Sequence, residues 1–186
     1  MSPLMVNSSS VYELIQECLA NNRTAQRQLF EIYAPKMIIV CRRYVRLDTE
    51  AEDVMQEAFV KIFRNLKSFN FEGSFEGWVR KIMINTSLKY ISKKHFQNES
   101  TTLSEVNEES VEPEILYKLN EEDIMDLIRS LPDGYRHVFN MYIIEGYSHK
   151  EIASMLGIEE STSRSQLVKA RRILQDKIIN LQKIAI

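Results

Sequence analysis

Glycine occurs five times and proline four times in 186 residues, and this scarcity limits the possible folds more than any other feature of the chain. Sheets and barrels reverse direction every few residues and need such breakers at each turn, whereas helices need them only at their ends. The apolar residues agree. Val11, Leu14, Ile15, Cys18 and Leu19 recur at helical spacing, as do Tyr33, Met37, Val40 and Tyr44, with Leu29, Phe30 and Cys41 beside them. Pro35 interrupts the second stripe and marks a place for a kink. The pattern predicts an all-α protein.

A third helix is predicted to open within LDTEAEDVMQ, with Thr49 as cap and Glu52 reaching back to the cap amide. Val54, Met55, Ala58, Phe59, Ile62, Phe63 and Leu66 form its inner face, and Glu50, Asp53, Gln56 and Glu57 its polar face. SFNFEGSFEG carries two glycines and reads as a loop, after which Trp78 to Lys94 returns to helix. Residues 98–114 are acidic, rich in Ser and Thr, and nearly empty of bulky apolar groups. Such a segment cannot bury enough surface to offset its ordering entropy, so it is expected to be a flexible linker. Helical patterning resumes from Ile115 to Leu131, breaks at LPDG, and continues through Tyr135 to Ile144. The expected organisation is a helical domain over 1–97, a linker over 98–114 and a second helical domain over 115–186.

The total charge of −2 hides a strong segregation. Val60 to Gln97 carries a net +6, Asn98 to Asp126 a net −9, and Ser148 to Lys183 a net +3. Two basic modules around an acidic middle point to a nucleic-acid partner more clearly than the total does.

The last module carries the most specific pattern, SHKEIASMLGIEESTSRSQLVKARRIL. Ser148 and Glu151 form a capping box for a short helix, with Ile152, Ala153 and Leu156 facing inward. Gly157 can adopt the left-handed conformation that ends it, and Ile158 plugs the turn. Ser163, Leu167, Ala170 and Leu174 then line the inner side of a second helix. Thr162, Arg164, Ser165, Val168, Lys169, Arg171 and Arg172 are left on its outer side, where hydroxyls and guanidinium groups suit base edges and phosphates. This is the grammar of a helix-turn-helix. His149 is expected to be an exposed neighbour of the cap.

Other classes have little support. There is no Gly-rich phosphate loop, no metal-spaced His/Cys set and no nucleophile motif, so neither enzyme, cofactor nor small-molecule substrate is expected. The closely spaced acids of LDTEAEDVMQE lack the central glycine of a calcium loop, so no metal is expected either. Cys18 and Cys41 fall on apolar faces, as buried reduced thiols of a cytoplasmic protein do. No apolar run approaches the ~18 residues that span a bilayer, and no membrane insertion is expected.

Three segments together carry a family resemblance: AQRQLFEIYAPKMIIVCRRYVRLDTEAEDVMQEAFVKIFRNLKSF, GSFEGWVRKIMINTSLKYISKK and LPDGYRHVFNMYIIEGYSHKEIASMLGIEESTSRSQLVKARRIL. In this order they resemble a bacterial sigma factor of the two-domain extracytoplasmic-function class. The resemblance implies a sigma-two domain and a sigma-four domain, core RNA polymerase and promoter DNA as partners, and an anti-sigma factor as regulator. It places Asp53, Gln56 and Glu57 where the family contacts the clamp helices of the largest polymerase subunit; as residues alone, they fit a partner surface or a solvated face. It assigns the basic segment to the promoter −10 element, with Lys67, Arg80, Lys81, Lys89, Lys93 and Lys94 supplying charge. Phe69, Phe71, Phe75 and Trp78 supply aromatic surface, although Phe75 and Trp78 also fit a core role. Asn85 coincides with a polar position near the flipped base. The last helix is assigned to the −35 element, and the acidic linker to the active-site and RNA-exit path of the polymerase. The chain departs from the family at Lys89 and Ser92, where an Asp and an Arg are frequent, and at Ser163, where valine is usual; a hydrogen bond from the Ser163 hydroxyl back to its own helix would keep the cost small. A helix-turn-helix regulator acting without polymerase is the competing reading, and it requires a ligand pocket and a dimerisation face.

Overall fold

The computed structural model describes residues 8–97 and 121–184. All regular structure among them is helical: α1 (Ser8–Leu19), α2 (Arg23–Tyr44), α3 (Asp48–Asn65), α4 (Phe75–Gln97), α5 (Glu121–Arg129), α6 (Asp133–Phe139), α7 (His149–Leu156) and α8 (Glu160–Ile184). The chain separates into two compact units, Met1–Ser92 and Lys93–Ile186. Residues 98–114, expected to be a linker, lie outside the described residues, as does the expected helix start at Ile115.

In the first unit, Asn22 begins α2 by accepting from the Thr24 and Ala25 amides at 2.9 and 3.3 Å. α2 then runs unbroken through Pro35. Pro35 and Glu31, whose carbonyl loses its amide partner there, are both exposed, so the missing bond falls on the solvent side of the helix. The inner stripe of Leu29, Tyr33, Met37, Val40, Cys41 and Tyr44 is buried as the spacing predicts. It packs against Ala51, Val54, Met55, Ala58, Phe59 and Ile62 of α3. Fully burying each large apolar side chain contributes about 1.5–3 kcal/mol.

The start of α3 departs from the expectation. Thr49 lies within the first turn rather than at the cap, because the Ala51 amide already donates to the Leu47 carbonyl at 2.9 Å. Leu47 cannot cap with its side chain; instead Arg42 anchors Asp48 at 3.0 Å. Helix α4 starts three residues earlier than predicted, with the Trp78 amide bonded to the Ser74 carbonyl at 3.1 Å and the Gly77 amide to the Ser74 hydroxyl at 3.4 Å. It is tied to its neighbours by polar bridges: Lys36 to Glu76 at 2.7 Å from α2, and Lys61 to Thr86 at 3.3 Å from α3.

In the second unit, Leu131, Ala170 and Leu174 are buried, with Leu127, Tyr135, Phe139 and Ile173 packed against them. Buried Arg136 holds the turn between α5 and α6, pairing with Asp133 at 3.0 Å and donating to the Arg129 carbonyl at 3.3 Å. The predicted helix over Tyr135 to Ile144 is α6 followed by a π turn over Asn140–Ile144. There the Glu145 amide reaches the Asn140 carbonyl at 3.0 Å, five residues back.

Candidate functional site

Helices α7 and α8 form the predicted helix-turn-helix. The Ser148 hydroxyl accepts from the Glu151 amide at 3.3 Å while the Ser148 amide donates to Glu151 Oε2 at 2.8 Å. Gly157 ends α7 at φ +67°, and the Ile158 amide closes the turn on the Ala153 carbonyl at 3.1 Å. Ser163, Leu167, Ala170 and Leu174 are all buried on the inner side of α8. Arg164, Ser165, Val168, Lys169 and Arg171 are exposed on the outer side, and Thr162 is half-buried. Val168 shows 65% of its surface, a rare apolar group on an otherwise polar face. Arg164 pairs with Glu160, and the Ser165 hydroxyl donates to the Thr162 carbonyl at 3.0 Å. Arg172, expected to face outward, is half-buried, and its Nε and Nη2 atoms are shielded from solvent.

His149 corrects the expectation most clearly. It is buried rather than exposed, its Nδ1 lies 2.9 Å from the Ser163 hydroxyl, and Tyr142 stacks on its ring with centroids 4.4 Å apart. The Ser163 hydroxyl therefore finds a partner on α7 instead of bonding back to its own helix. Burial lowers the His149 pKa, nearby Arg164 and Arg171 lower it further, and Glu160 opposes them.

On α4, Lys81, Asn85, Lys89 and Lys93 recur every four residues and are all exposed, forming one cationic and amide-bearing stripe. Lys67 is exposed on the preceding 3₁₀ turn. Arg80 is half-buried beside Glu76 at 3.3 Å, and Lys36 and Arg80 together hold that carboxyl below its ordinary value despite partial burial. Phe75 is not a surface group. It is 6% exposed, edge-on to Tyr33 at 5.4 Å and to Phe69 at 5.1 Å, so it closes the core as an aromatic anchor. Trp78 is half-buried and stacks on Phe75 at 5.7 Å. The aromatic pair that does face solvent is Tyr12 with Phe71, 4.8 Å apart. Phe71 is held at φ +61°, a strained conformation for a bulky residue.

On α3, Asp53, Gln56 and Glu57 are exposed along one outer stripe, which continues through Val60 and Arg64. Glu57 is paired with Lys61 at 2.7 Å. Sequence spacing places the acids there, but it does not single out Val60, which is 48% exposed in the middle of the stripe.

Comparison with known proteins agrees with this geometry. Residues 29–96 match the family described as sigma-70 region 2, and residues 121–174 match sigma-70, region 4, together about two thirds of the chain. The sigma-E factor of Haemophilus influenzae, an ECF RNA polymerase sigma factor, is 27% identical over 177 residues, covering 89% of this chain and 93% of that one. The sigma-E factor of Escherichia coli strain K12 is 27% identical over 177 residues, covering 89% and 92%. Among solved structures, the sigma factor RpoE of Bartonella quintana, crystallised with the anti-sigma factor NepR, shares the fold. Its TM-score is 0.53 at 18% identity, over 83% of this chain and 96% of that one. Two family segments in the expected order, on two helical units, show that this chain belongs to the sigma-70 family, in its extracytoplasmic-function class.

Proposed function

We propose that this sigma factor binds core RNA polymerase through the outer stripe of α3 and directs promoter-specific initiation by reading two DNA elements, one with each unit. Asp53, Gln56 and Glu57 form the polymerase contact. Lys67, Lys81, Asn85, Lys89 and Lys93 engage the −10 element, with Arg80 and Trp78 at its edge. Arg164, Ser165, Val168, Lys169 and Arg171 face the −35 element, flanked by Thr162 and Arg172. The observation that carries the reading is α8 itself: its inner stripe is buried, while its outer face offers exposed guanidinium, ammonium and hydroxyl groups.

The protein acts by binding, not catalysis, in the cytoplasm where polymerase and promoter meet. No described helix is long and apolar enough to cross a membrane. Linking two weak DNA readers on one polymerase-bound chain raises the effective concentration of each, so neither element has to be held tightly alone. Residues 98–114 follow the polymerase channel in this reading, and an anti-sigma factor holds the protein inactive. The sigma factor of Bartonella quintana was crystallised with such a partner.

Two substitutions test the division of labour. Arg171→Ala is expected to weaken −35-dependent initiation about tenfold and to leave core binding intact. Asp53→Ala is expected to weaken core binding about tenfold and to leave DNA preference intact. Unchanged initiation for the first on every promoter, or equal core affinity for the second, would contradict these assignments.

A further inference from the structure

The inner face of a DNA-reading helix docks away from water and is ordinarily apolar. In α8 that face contains Ser163, fully buried and directly followed by exposed Arg164 and Ser165. Its hydroxyl meets His149 Nδ1 at 2.9 Å across the turn, and His149 is itself buried at the first position of α7. The imidazole lies against Tyr142 of the π turn, with planes 20° apart. Three elements therefore meet on one ring. A buried polar pair is sensitive in a particular way: removing one partner leaves the other desolvated and unsatisfied, whereas replacing both with apolar groups is nearly neutral.

We propose that the His149–Ser163 hydrogen bond, backed by Tyr142, is the latch that sets how α8 docks on α7, and so holds Arg164, Ser165 and Arg171 at the depth where −35 bases are read. His149 and Ser163 are positioning residues; both lie beneath the outer face. Because α8 is a continuous helix, a change in docking at Ser163 is carried to the adjacent reading residues without attenuation. A functional face held by a locked inner contact is more precise than one held by shape alone. The proposal rests on the assignment of α8 to the −35 element.

The test uses the full chain with core polymerase, and reads the ratio of initiation from an intact promoter to initiation from one with a scrambled −35 element. Ser163→Ala and His149→Phe are each expected to lower that ratio about five- to tenfold, the factor that an unsatisfied buried polar group commands. Initiation from the scrambled promoter stays at the parental level, which reports intact core binding. The double variant His149→Phe with Ser163→Val, in which neither polar group is stranded, recovers most of the ratio. So does at least one variant that keeps the hydrogen bond, Ser163→Thr or His149→Asn. An unchanged ratio for Ser163→Ala, losses that add in the double variant, or recovery by neither hydrogen-bonding variant would overturn the latch. A parent protein indifferent to the −35 element would instead remove the assignment of α8, and the latch with it, before any variant is made.

Discussion

Burial at single residues sets the chemistry of several side chains. Burial pushes the Cys18 thiol up to about 11, aided by the neighbouring Glu17 charge, and pushes the Cys41 thiol up to about 11 against a hydrogen bond from Ser87. Neither is expected to react with a thiol reagent at pH 8 until the protein is denatured, when both react; rapid labelling of the native protein would contradict the packing of α1 and α2. Glu76 behaves in the opposite sense, its carboxyl lowered by hydrogen bonds from Lys36 and then Arg80. A lowered folded pKa means that its stabilisation is complete above the ordinary carboxylate value of 4.5 and is lost as pH falls through the folded value. Glu76→Gln is therefore expected to lower the melting temperature of the first unit by about 3–5 °C at pH 7. The gap between parent and variant should narrow as pH falls below 4.5 and the carboxyl is protonated, and a gap that does not change with pH would rule out the charge as its source.

Among the elements, the turn between α7 and α8 shows best what local chemistry decides. Gly157 sits at φ +67° with no atom within 4 Å of where a Cβ would be, so the cost of Gly157→Ala is backbone strain alone. About 1 kcal/mol is expected, read as a lower melting temperature for the second unit, and an unchanged value would show that the turn has relaxed. Such features are legible in sequence because cap, glycine and apolar stripe act over a few residues: Ser148, Glu151, Gly157, Leu167 and Ala170 all sit where their spacing places them. What was not legible depends on contacts between elements. His149 and Ser163 are fourteen positions apart and find each other only after the turn has formed. Phe75 fits either a base-stacking or a core role in sequence, and only its contacts with Tyr33 and Phe69 decide for the core. The cap expected at Thr49 gives way to one two residues earlier, at Leu47, and Arg42 pairs with Asp48, the first carboxylate of α3. Arg172, read as outward-facing, is half-buried, and spacing alone does not show how far a long side chain is covered.

At the scale of the whole molecule, charge is sorted by task. The exposed lysine and asparagine stripe of α4, the cationic outer face of α8 and the acid-bearing stripe of α3 are chemically distinct surfaces, the first two proposed for DNA and the third for polymerase. In the proposed mechanism one chain joins these tasks, binding core polymerase and selecting promoters through two separate DNA contacts. Run-off transcription with purified core polymerase tests it most directly, on four promoters with the −10 and −35 elements intact or scrambled singly and together. Strong sigma-dependent transcripts are expected from the intact promoter, with a large loss on scrambling either element and none above core alone when both are scrambled. Tight binding of specific duplex DNA by the free chain, with no effect on transcription by core polymerase, would contradict it.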